Sequence, residues 1–235
     1  MRRRLDGADQ GAQRETRLVV KVGGAVSGEV AERILELAGS HEVCVVHGAG
    51  PQISAEMARR GLEVEFVHGR RVTTAAGLEA VRDALARVNA ELCEALGAPA
   101  LPLFGDDLGL PARQVAELGL VGEPLPSRPA EVEQALALGR IPVVAPLAAG
   151  PLNVNADEAA AALAVGLGAA RLLFLTDVPG VLVAGGVAVA IEACEAERLV
   201  GEGHFQGGIV PKLLAAVRAA RGGVQAEIGE TAVLA

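Results

Sequence analysis

The chain of 235 residues contains only two lysines, and each adjoins a pair of glycines. Lys21 comes just before Gly23-Gly24, and Lys212 follows shortly after Gly207-Gly208. An ammonium group is a compact point charge, and glycine lets the backbone approach a ligand closely. Phosphoryl transfer needs positive charge and positioning rather than covalent help from the protein. The two lysines are therefore candidates for the groups that neutralise a moving phosphoryl.

A second glycine-rich segment has the features of an anion-binding loop. It is Val46-His47-Gly48-Ala49-Gly50-Pro51, and it joins an apolar run at 42–46 to a helical pattern at 52–60. A proline in the first turn of a helix loses no hydrogen bond there. The free amides of a helix N-terminus attract anions. Together with the loop at Gly23-Gly24, this loop would surround a phosphate with donors.

Four further polar residues follow predicted strands or open predicted helices, and their sequence context leaves two interpretations for each. Asp157 is either a first-turn acid favoured by the helix dipole or the group that orients the two lysines. Arg71 is either a solvated surface residue or a bidentate hydrogen-bond donor to a carboxylate. Asn153 either caps a turn or binds a substrate carboxylate or amide. His47 is interpreted as a structural residue rather than a base.

The composition excludes several classes of function. The formal net charge is −8 and the aromatic residues are four phenylalanines, so neither a nucleic acid nor a membrane is an expected partner. The three cysteines are odd in number and lack CxxC spacing, which argues against a disulfide framework and a zinc site. Residues 1–16 are polar and carry no secretory signal. We expect them to form a disordered tail of a cytoplasmic protein.

Apolar runs alternate with helical periodicities, which predicts an α/β protein with a mostly parallel sheet covered on both faces. Strands are predicted at 17–22, 42–46, 99–104, 141–144, 171–175 and 224–228, with a short strand from 65 that breaks at 69 and hairpins at 105–122 and around 185–186. Helices are predicted at 28–38, 52–60, 75–96, 129–138, 155–167 and 207–221. Ligands of such sheets bind at the carboxyl ends of strands. The polar or glycine-rich junctions at 23–24, 48–50, 153–157 and 176–177 are therefore expected to lie together.

Seven motifs, in this order, resemble those of the amino acid kinase superfamily and, within it, the acetylglutamate kinases. They are Lys21-Val22-Gly23-Gly24, the loop from Val46 to Pro51, Gly69-Arg70-Arg71-Val72-Thr73, Gly139-Arg140-Ile141-Pro142-Val143-Val144, Asn153-Val154-Asn155-Ala156-Asp157, Leu175-Thr176-Asp177-Val178-Pro179-Gly180-Val181 and Gly208-Ile209-Val210-Pro211-Lys212. The resemblance extends from about Leu18 to Val224. It implies a three-layer αβα sandwich with a central, mostly parallel sheet.

The resemblance also implies a reaction. The γ-phosphoryl of Mg-ATP would pass to the side-chain carboxylate of N-acetyl-L-glutamate, a step of arginine biosynthesis. N-acetyl-L-glutamate and ATP are thus the expected partners. Mg²⁺ would be held mainly by ATP oxygens and water, with no protein ligand. A carboxylate is already ionised at neutral pH, so no general base is needed.

The family's roles carry over to matching positions. Lys21 and Lys212 would neutralise the transferring phosphoryl, and Asp157 would hold both lysines. Arg71 and Asn153 would bind the α-carboxylate of acetylglutamate. The amides that face the phosphoryl and the attacking carboxylate would be those of Gly24, Ala49 and Gly50. The positions along the nucleotide would be Gly23, Thr176, Asp177 and Gly208.

The same resemblance predicts two lobes that share one sheet. Residues 17–150 would bind the acyl amino acid and the phosphoryl group, and residues 151–235 would bind the nucleotide. Three positions depart from the family pattern. Ala49 replaces a usual glycine, which costs roughly 1 kcal/mol or more if the backbone there needs a positive φ. Thr74 replaces a frequent aspartate, and 229–235 is expected to be a contracted remnant of a longer C-terminal segment that leaves the nucleotide site more open.

Other functions stay open on sequence grounds. A kinase for N-acetyl-α-aminoadipate, or for its carrier-linked form in lysine biosynthesis, differs by one methylene of substrate, worth only about 1–3 kcal/mol. Isopentenyl phosphate kinase is disfavoured because the glycine loop lacks that family's downstream histidine. A degenerate kinase fold that binds without catalysis is the alternative from another class. We expect a homodimer that is insensitive to arginine.

Overall fold

The computed structural model describes residues 16–176 and 178–235. The predicted tail at 1–16, apart from Thr16, and the candidate residue Asp177 lie outside these described residues. The strands are β1 Arg17–Val22, β2 Glu42–His47, β3 Phe66–Val67, β4 Arg70–Arg71, β5 Ala100–Phe104, β6 Ala112–Gln114, β7 Val121–Pro124, β8 Ile141–Ala145, β9 Leu147–Ala148, β10 Leu152–Val154, β11 Arg171–Phe174, β12 Leu182–Val183, β13 Gly186–Val187, β14 Ala190–Glu192, β15 Gln225–Ile228 and β16 Thr231–Leu234. The helices are α1 Gly28–Ser40, α2 Gly50–Arg59, α3 Ala75–Leu96, α4 Ala130–Ala137, α5 Ala156–Gly166, α6 Ala193–Gly201 and α7 Ile209–Arg221, with a 3-10 turn at Ala116–Leu118.

An eight-stranded sheet forms the centre of the described chain, in the order β14-β16-β15-β11-β1-β2-β8-β5. Its neighbouring strands run parallel except for the antiparallel pair β15–β16. Strands from both predicted lobes contribute to it, with β1, β2, β5 and β8 from the first and β11 and β14–β16 from the second.

Helices cover both faces of this sheet because its central strands are apolar on both sides. On β1, Val19 packs into a core with α4, α5, α6 and α7, whereas Leu18 and Val20 face α1 and the C-terminal part of α3. The predicted three-layer αβα sandwich with a mostly parallel sheet is therefore confirmed. None of the helices in the described ranges is both long and apolar enough to cross a membrane.

Strand register brings the candidate loops to one edge of the sheet. Lys21 of β1 is level with Val46 of β2 on one side and with Phe174 of β11 on the other. The loops that follow these three strands therefore emerge side by side. This is the position at which open α/β sheets bind ligands.

The sheet differs from the prediction mainly at its edges. The segment predicted as a buried strand from 99 to 104 is the edge strand β5, in which only Ala100 is fully buried. An edge strand tolerates Pro102 because one of its sides needs no ladder hydrogen bond. The segment expected to be a contracted remnant contains β16, which pairs with both β15 and β14. The sequence analysis did not predict β14 and α6.

Candidate active site

The two lysines meet at one carboxylate. The ammonium nitrogen of Lys21 lies 2.8 Å from Oδ1 of Asp157, and that of Lys212 lies 3.2 Å from the same oxygen. All three residues are buried, each less than a tenth exposed. Of the two interpretations of Asp157, the geometry favours the one in which it orients both lysines. These residues form the Lys–Asp–Lys cluster.

Three different elements position this cluster. Lys21 is the fifth residue of β1, and Lys212 lies in the first turn of α7. Asp157 lies in the first turn of α5, where Oδ1 of Asn155 accepts hydrogen bonds from the amides of Asp157 and Glu158 at 2.8 and 3.2 Å. Asn155 is thus the N-cap of α5. The Glu158 side chain does not complete a capping box, because it binds Arg70 instead.

Burial and charge act in opposite directions on Lys212. Burial lowers the pKa of its ammonium group, Asp157 raises that pKa, and the nearby Lys21 lowers it. The ammonium nitrogen also lies 5.1 Å from the centre of the Phe174 ring, within cation–π range. The charged form is therefore held by one carboxylate and one aromatic face.

The two glycine loops pack directly against each other. The amide of Gly48 donates to the carbonyl of Val22 at 2.9 Å, and Nε2 of Gln52 donates to the carbonyl of Gly24 at 2.7 Å. A Cβ on Gly24 would lie 2.5 Å from Oε1 of Gln52 and 2.9 Å from Cα of Ala49. Any side chain at position 24 would therefore push the loops apart.

The expected strain at Ala49 is absent. Ala49 caps α2 with φ −151° and ψ 29°, so its backbone does not need the left-handed region that favours glycine. The conditional cost assigned to this alanine does not apply. Helix α2 begins at Gly50, two residues earlier than predicted, with Pro51 in its first turn.

A cavity of about 180 Å³ opens on one side of the Lys–Asp–Lys cluster. We call it the smaller cavity, and its wall includes Lys21, Asp157, Gly48, Ala49, Gly50, Phe66, Arg70, Arg71 and Asn153. Gly24 adjoins this wall, next to Ala49 and Gln52.

Arg71 is a buried part of that wall, with 6% of its surface exposed. Its Nη2 donates to the carbonyl of Gly50 at 3.1 Å and to Oγ of Ser54 at 2.8 Å. Its guanidinium carbon lies 4.5 Å from the centre of the Phe66 ring. Burial lowers the pKa of Arg71. The surface interpretation of Arg71 is therefore wrong, and the residue is fixed against the N-terminal half of α2.

Asn153 reaches the same wall through a threonine. Its Nδ2 donates to Oγ1 of Thr73 at 3.0 Å, and that hydroxyl donates to the carbonyl of Arg71 at 2.8 Å. The side chain of Asn153 is thereby oriented beside Arg71.

His47 lies away from solvent beneath the loop. Its Nε2 is 3.1 Å from Nδ2 of Asn89, and Nδ1 is 3.3 Å from the carbonyl oxygen of Gly48. Burial lowers the pKa of His47 to about 4, so the imidazole is neutral near pH 7. These contacts fit the interpretation of His47 as a structural residue.

A cavity of about 680 Å³ opens on the other side of the cluster, and we call it the larger cavity. It shares Lys21 and Asp157 with the smaller cavity and adds Thr176, Gly208 and Lys212. Gly23 lines a neighbouring groove together with Thr176. Within the described residues, no three histidine, cysteine or acidic side chains cluster as metal ligands would.

Known proteins resemble this chain in sequence and in architecture. A sequence model of the amino acid kinase family matches residues 16–229. The chain belongs to the amino acid kinase family. The prediction of this family is thus confirmed.

Relatives of this kinase-family chain carry a more specific name. A protein named acetylglutamate kinase from Rubrobacter xylanophilus is 44% identical over 221 residues, which cover 90% of this chain and 87% of the relative. Another of that name from Syntrophomonas wolfei is 37% identical and covers 88% of this chain and 80% of its own. Among solved structures, the smu.665 protein of Streptococcus mutans superposes with a TM-score of 0.84 at 28% identity, covering 93% of this chain and 98% of that protein.

Several residues of this kinase-family site were not singled out from the sequence. Gln52, Ser54 and Thr73 hold the predicted residues in place through the hydrogen bonds described above. In the larger cavity the unpredicted wall residues include His204, Phe205 and Gln206. For Gln52 and Ser54 a signal existed, since both follow the glycine loop within the first turns of its helix.

Proposed function

We propose that this amino acid kinase transfers the γ-phosphoryl of Mg-ATP to the side-chain carboxylate of N-acetyl-L-glutamate. The observation that carries the proposal is the Lys–Asp–Lys cluster, in which both ammonium groups share Asp157 where the two cavities meet. A phosphoryl that moves from one cavity to the other passes this cluster. The name shared by the relatives from Rubrobacter and Syntrophomonas supports the choice of acceptor.

In this proposal the smaller cavity binds acetylglutamate. Arg71 and Asn153 recognise its α-carboxylate, because a guanidinium and an amide can both donate to a carboxylate. The side-chain carboxylate then points towards Lys21 and attacks the γ-phosphorus. That carboxylate is ionised at neutral pH, so the reaction requires no proton removal. The lack of a general base among the assigned residues is consistent with this chemistry.

The larger cavity binds the nucleotide, with Thr176 and Gly208 in its wall and Gly23 in the adjoining groove. Asp177 keeps the role near the nucleotide that the sequence resemblance gives it. Mg²⁺ accompanies the phosphates and is held mainly by their oxygens and by water. The lobe of residues 17–150 thus provides most of the acyl amino acid site, and residues 151–235 provide most of the nucleotide site.

In this proposal catalysis arises from electrostatic preorganisation of the site. As the bond to the leaving oxygen weakens, negative charge on the transferring group is met by Lys21 and Lys212 and by the amides of Gly24, Ala49 and Gly50. Asp157 keeps the two ammonium groups close together, which their mutual repulsion would otherwise oppose. The protein supplies position and positive charge, and forms no covalent bond with the substrate.

A coupled assay of ADP release tests this function. The purified chain is given ATP with acetylglutamate, acetylaminoadipate or isopentenyl phosphate in parallel. We expect turnover to be highest with acetylglutamate and to be abolished in Lys21→Ala. Absence of turnover with acetylglutamate would end the proposal, and a preference for acetylaminoadipate would move it to lysine biosynthesis. ATP binding without turnover of any acceptor would favour the non-catalytic module.

The assembly and location of the protein stay predictions from sequence. We propose a cytoplasmic homodimer that arginine does not inhibit. Light scattering at several protein concentrations measures the assembly, and a hexamer would contradict it. Adding arginine to the ADP assay tests the lack of inhibition.

A further inference from the structure

Arg70, the neighbour of Arg71 in β4, forms a two-pronged ion pair with Glu158. Its Nη2 lies 3.0 Å from each carboxylate oxygen, and its Nε lies 3.3 and 3.2 Å from the same two oxygens. Both side chains are largely shielded from water, at 17% and 13% exposed. Two-pronged pairs of this kind fix orientation as well as distance.

The partners of this pair belong to two different parts of the proposed active site. Arg70 and its neighbour Arg71 both form part of the wall of the smaller cavity. Glu158 follows Asp157, which joins the two lysines. The pair therefore connects the acceptor wall to the phosphoryl centre across 88 residues of sequence.

The hairpin that carries Arg70 and Arg71 has little stability of its own. Strands β3 and β4 contain two residues each, and the turn between them has positive φ at both His68 (49°) and Gly69 (77°). A two-stranded ribbon of this size needs support from its surroundings.

That support comes from the helices of the phosphoryl centre. Nδ2 of Asn155, the cap of α5, donates to the carbonyl of Gly69 at 3.3 Å. A Cβ on Gly69 would lie 3.4 Å from Pro211, which immediately precedes Lys212 in α7. The turn thus rests on the first turns of both helices, and the Arg70–Glu158 pair is its one ionic contact with α5 among the ion pairs of the described residues.

We propose that Arg70 and Glu158 are positioning residues that set the placement of Arg71 relative to the Lys–Asp–Lys cluster. This inference rests on the proposed function. Neither residue belongs to the Lys–Asp–Lys cluster. Glu158 follows Asp157 in α5, and Arg70, itself part of the wall of the smaller cavity, fixes the strand that carries Arg71. Loss of the pair should mainly weaken acceptor binding, since the wall of the larger cavity contains neither Arg70 nor Glu158.

The test compares Arg70→Leu and Arg70→Lys with a matched control. Arg113→Leu removes an arginine from the same charge network, in which Glu123 contacts both Arg113 and Arg70, but among the described residues Arg113 itself makes no ion pair with the hairpin. We expect Arg70→Leu to raise the KM for acetylglutamate roughly ten-fold, within the coupling range for residues of one network. The KM for ATP should stay unchanged. Arg70→Lys should raise this KM less, because lysine keeps the positive charge although it lacks the bidentate guanidinium. Arg113→Leu should have the same KM values as the parent.

A double variant tests whether the two residues act as a pair. Arg70→Leu with Glu158→Gln should raise the KM for acetylglutamate no more than the worse single variant. Additive effects would show that the residues act independently and would overturn the inference. So would an unchanged acetylglutamate KM in Arg70→Leu, or an equal rise in the KM for ATP.

Hydrogen exchange separates this inference from the proposed function. Amides of 66–72 should exchange faster in Arg70→Leu than in the parent, while those in the body of α5 should not. This measurement needs no substrate. If the parent fails to phosphorylate acetylglutamate, the proposed function falls and the exchange result still decides whether the pair holds the hairpin. Unchanged exchange at 66–72 would overturn the inference whatever the enzyme's substrate.

Discussion

The two cavities that meet at the Lys–Asp–Lys cluster are built differently. The smaller one encloses about 180 Å³, and its wall includes polar side chains already fixed by hydrogen bonds, such as Arg71 to Ser54 and Asn153 to Thr73. The larger one encloses about 680 Å³, and part of its wall is exposed apolar surface at Val178 and Leu182.

This difference indicates which part of the site selects the ligand and which part stabilises the transferring charge. A preformed polar wall discriminates by leaving its own donors unpaired when the wrong ligand enters. A wide, partly open cavity discriminates less between ligands, and its binding depends more on the charges of the Lys–Asp–Lys cluster that it borders. The smaller cavity should therefore set substrate choice, and the shared cluster should set the rate.

The largest effect is expected from removing one ammonium group of the Lys–Asp–Lys cluster. Lys212→Met should lower kcat roughly 10²- to 10³-fold, the usual loss when one preorganised electrostatic group is removed. Both KM values should change little. Because Lys21 still pairs with Asp157 at 2.8 Å, no carboxylate is left unpaired and the fold should persist. Steady-state kinetics with thermal melting measure this, and Arg221→Met on the exposed side of the same helix is the control. A change confined to the KM for ATP would show that Lys212 binds the nucleotide and does not stabilise the transferring phosphoryl group.

The second largest effect is expected where the two glycine loops, at 23–24 and 48–50, contact each other. Gly24→Ala would place a Cβ 2.9 Å from Cα of Ala49, so the loops must separate. Displacing catalytic groups by about 1 Å can cost about 10²-fold in rate, and we expect kcat to fall by up to that amount. Gly39→Ala is the matched control, since a Cβ there meets nothing within 4 Å and alanine favours a helix by roughly 0.5–1 kcal/mol. Equal kinetics for the two variants would mean that the loops do not need their close contact.

The smallest effect is expected from a change to Arg71, which should alter ligand binding in the smaller cavity only. Arg71→Lys keeps the charge but loses the planar fork that reaches Gly50 and Ser54. We expect the KM for acetylglutamate to rise roughly ten-fold, the equivalent of about 1.4 kcal/mol. The KM for ATP should not change. An equal rise in both values would remove the distinction between the cavities.

Much of this fold could be predicted because the signals are local. Buried parallel strands are continuous apolar runs, and a cap such as Thr74 fixes the start of α3, which spans the predicted residues. The glycine loops and the two lysines could also be identified from sequence, because their signals lie within a few neighbouring residues. Short strands were missed, since β14 and β16 have three and four residues and their pattern is set by neighbours from distant parts of the chain.

The candidate site was predicted as a list of groups rather than as an arrangement. Lys21 and Lys212 were selected by residue type and by their glycine neighbours, and Asp157 was selected as an acid in the first turn of a predicted helix. The fold brings the three residues together. The ion pair proposed to place Arg71 relative to this cluster was not predictable, because Arg70 and Glu158 are 88 positions apart and no spacing rule links them. At Ala49 the residue type suggested strain, whereas the backbone angle depends on how β2 enters α2.

One consequence of the Lys–Asp–Lys cluster concerns how ligands arrive. Two ammonium groups face a single carboxylate at 2.8 and 3.2 Å, inside a chain whose net charge is −8. An anionic ligand is therefore repelled by the molecule at long range and attracted only near the site. At an ionic strength of 0.1 M the screening length is about 10 Å, which weakens the distant repulsion far more than the contact attraction. Moderate salt should thus speed the encounter with ATP and acetylglutamate, the reverse of enzymes whose outer surface draws its substrate in.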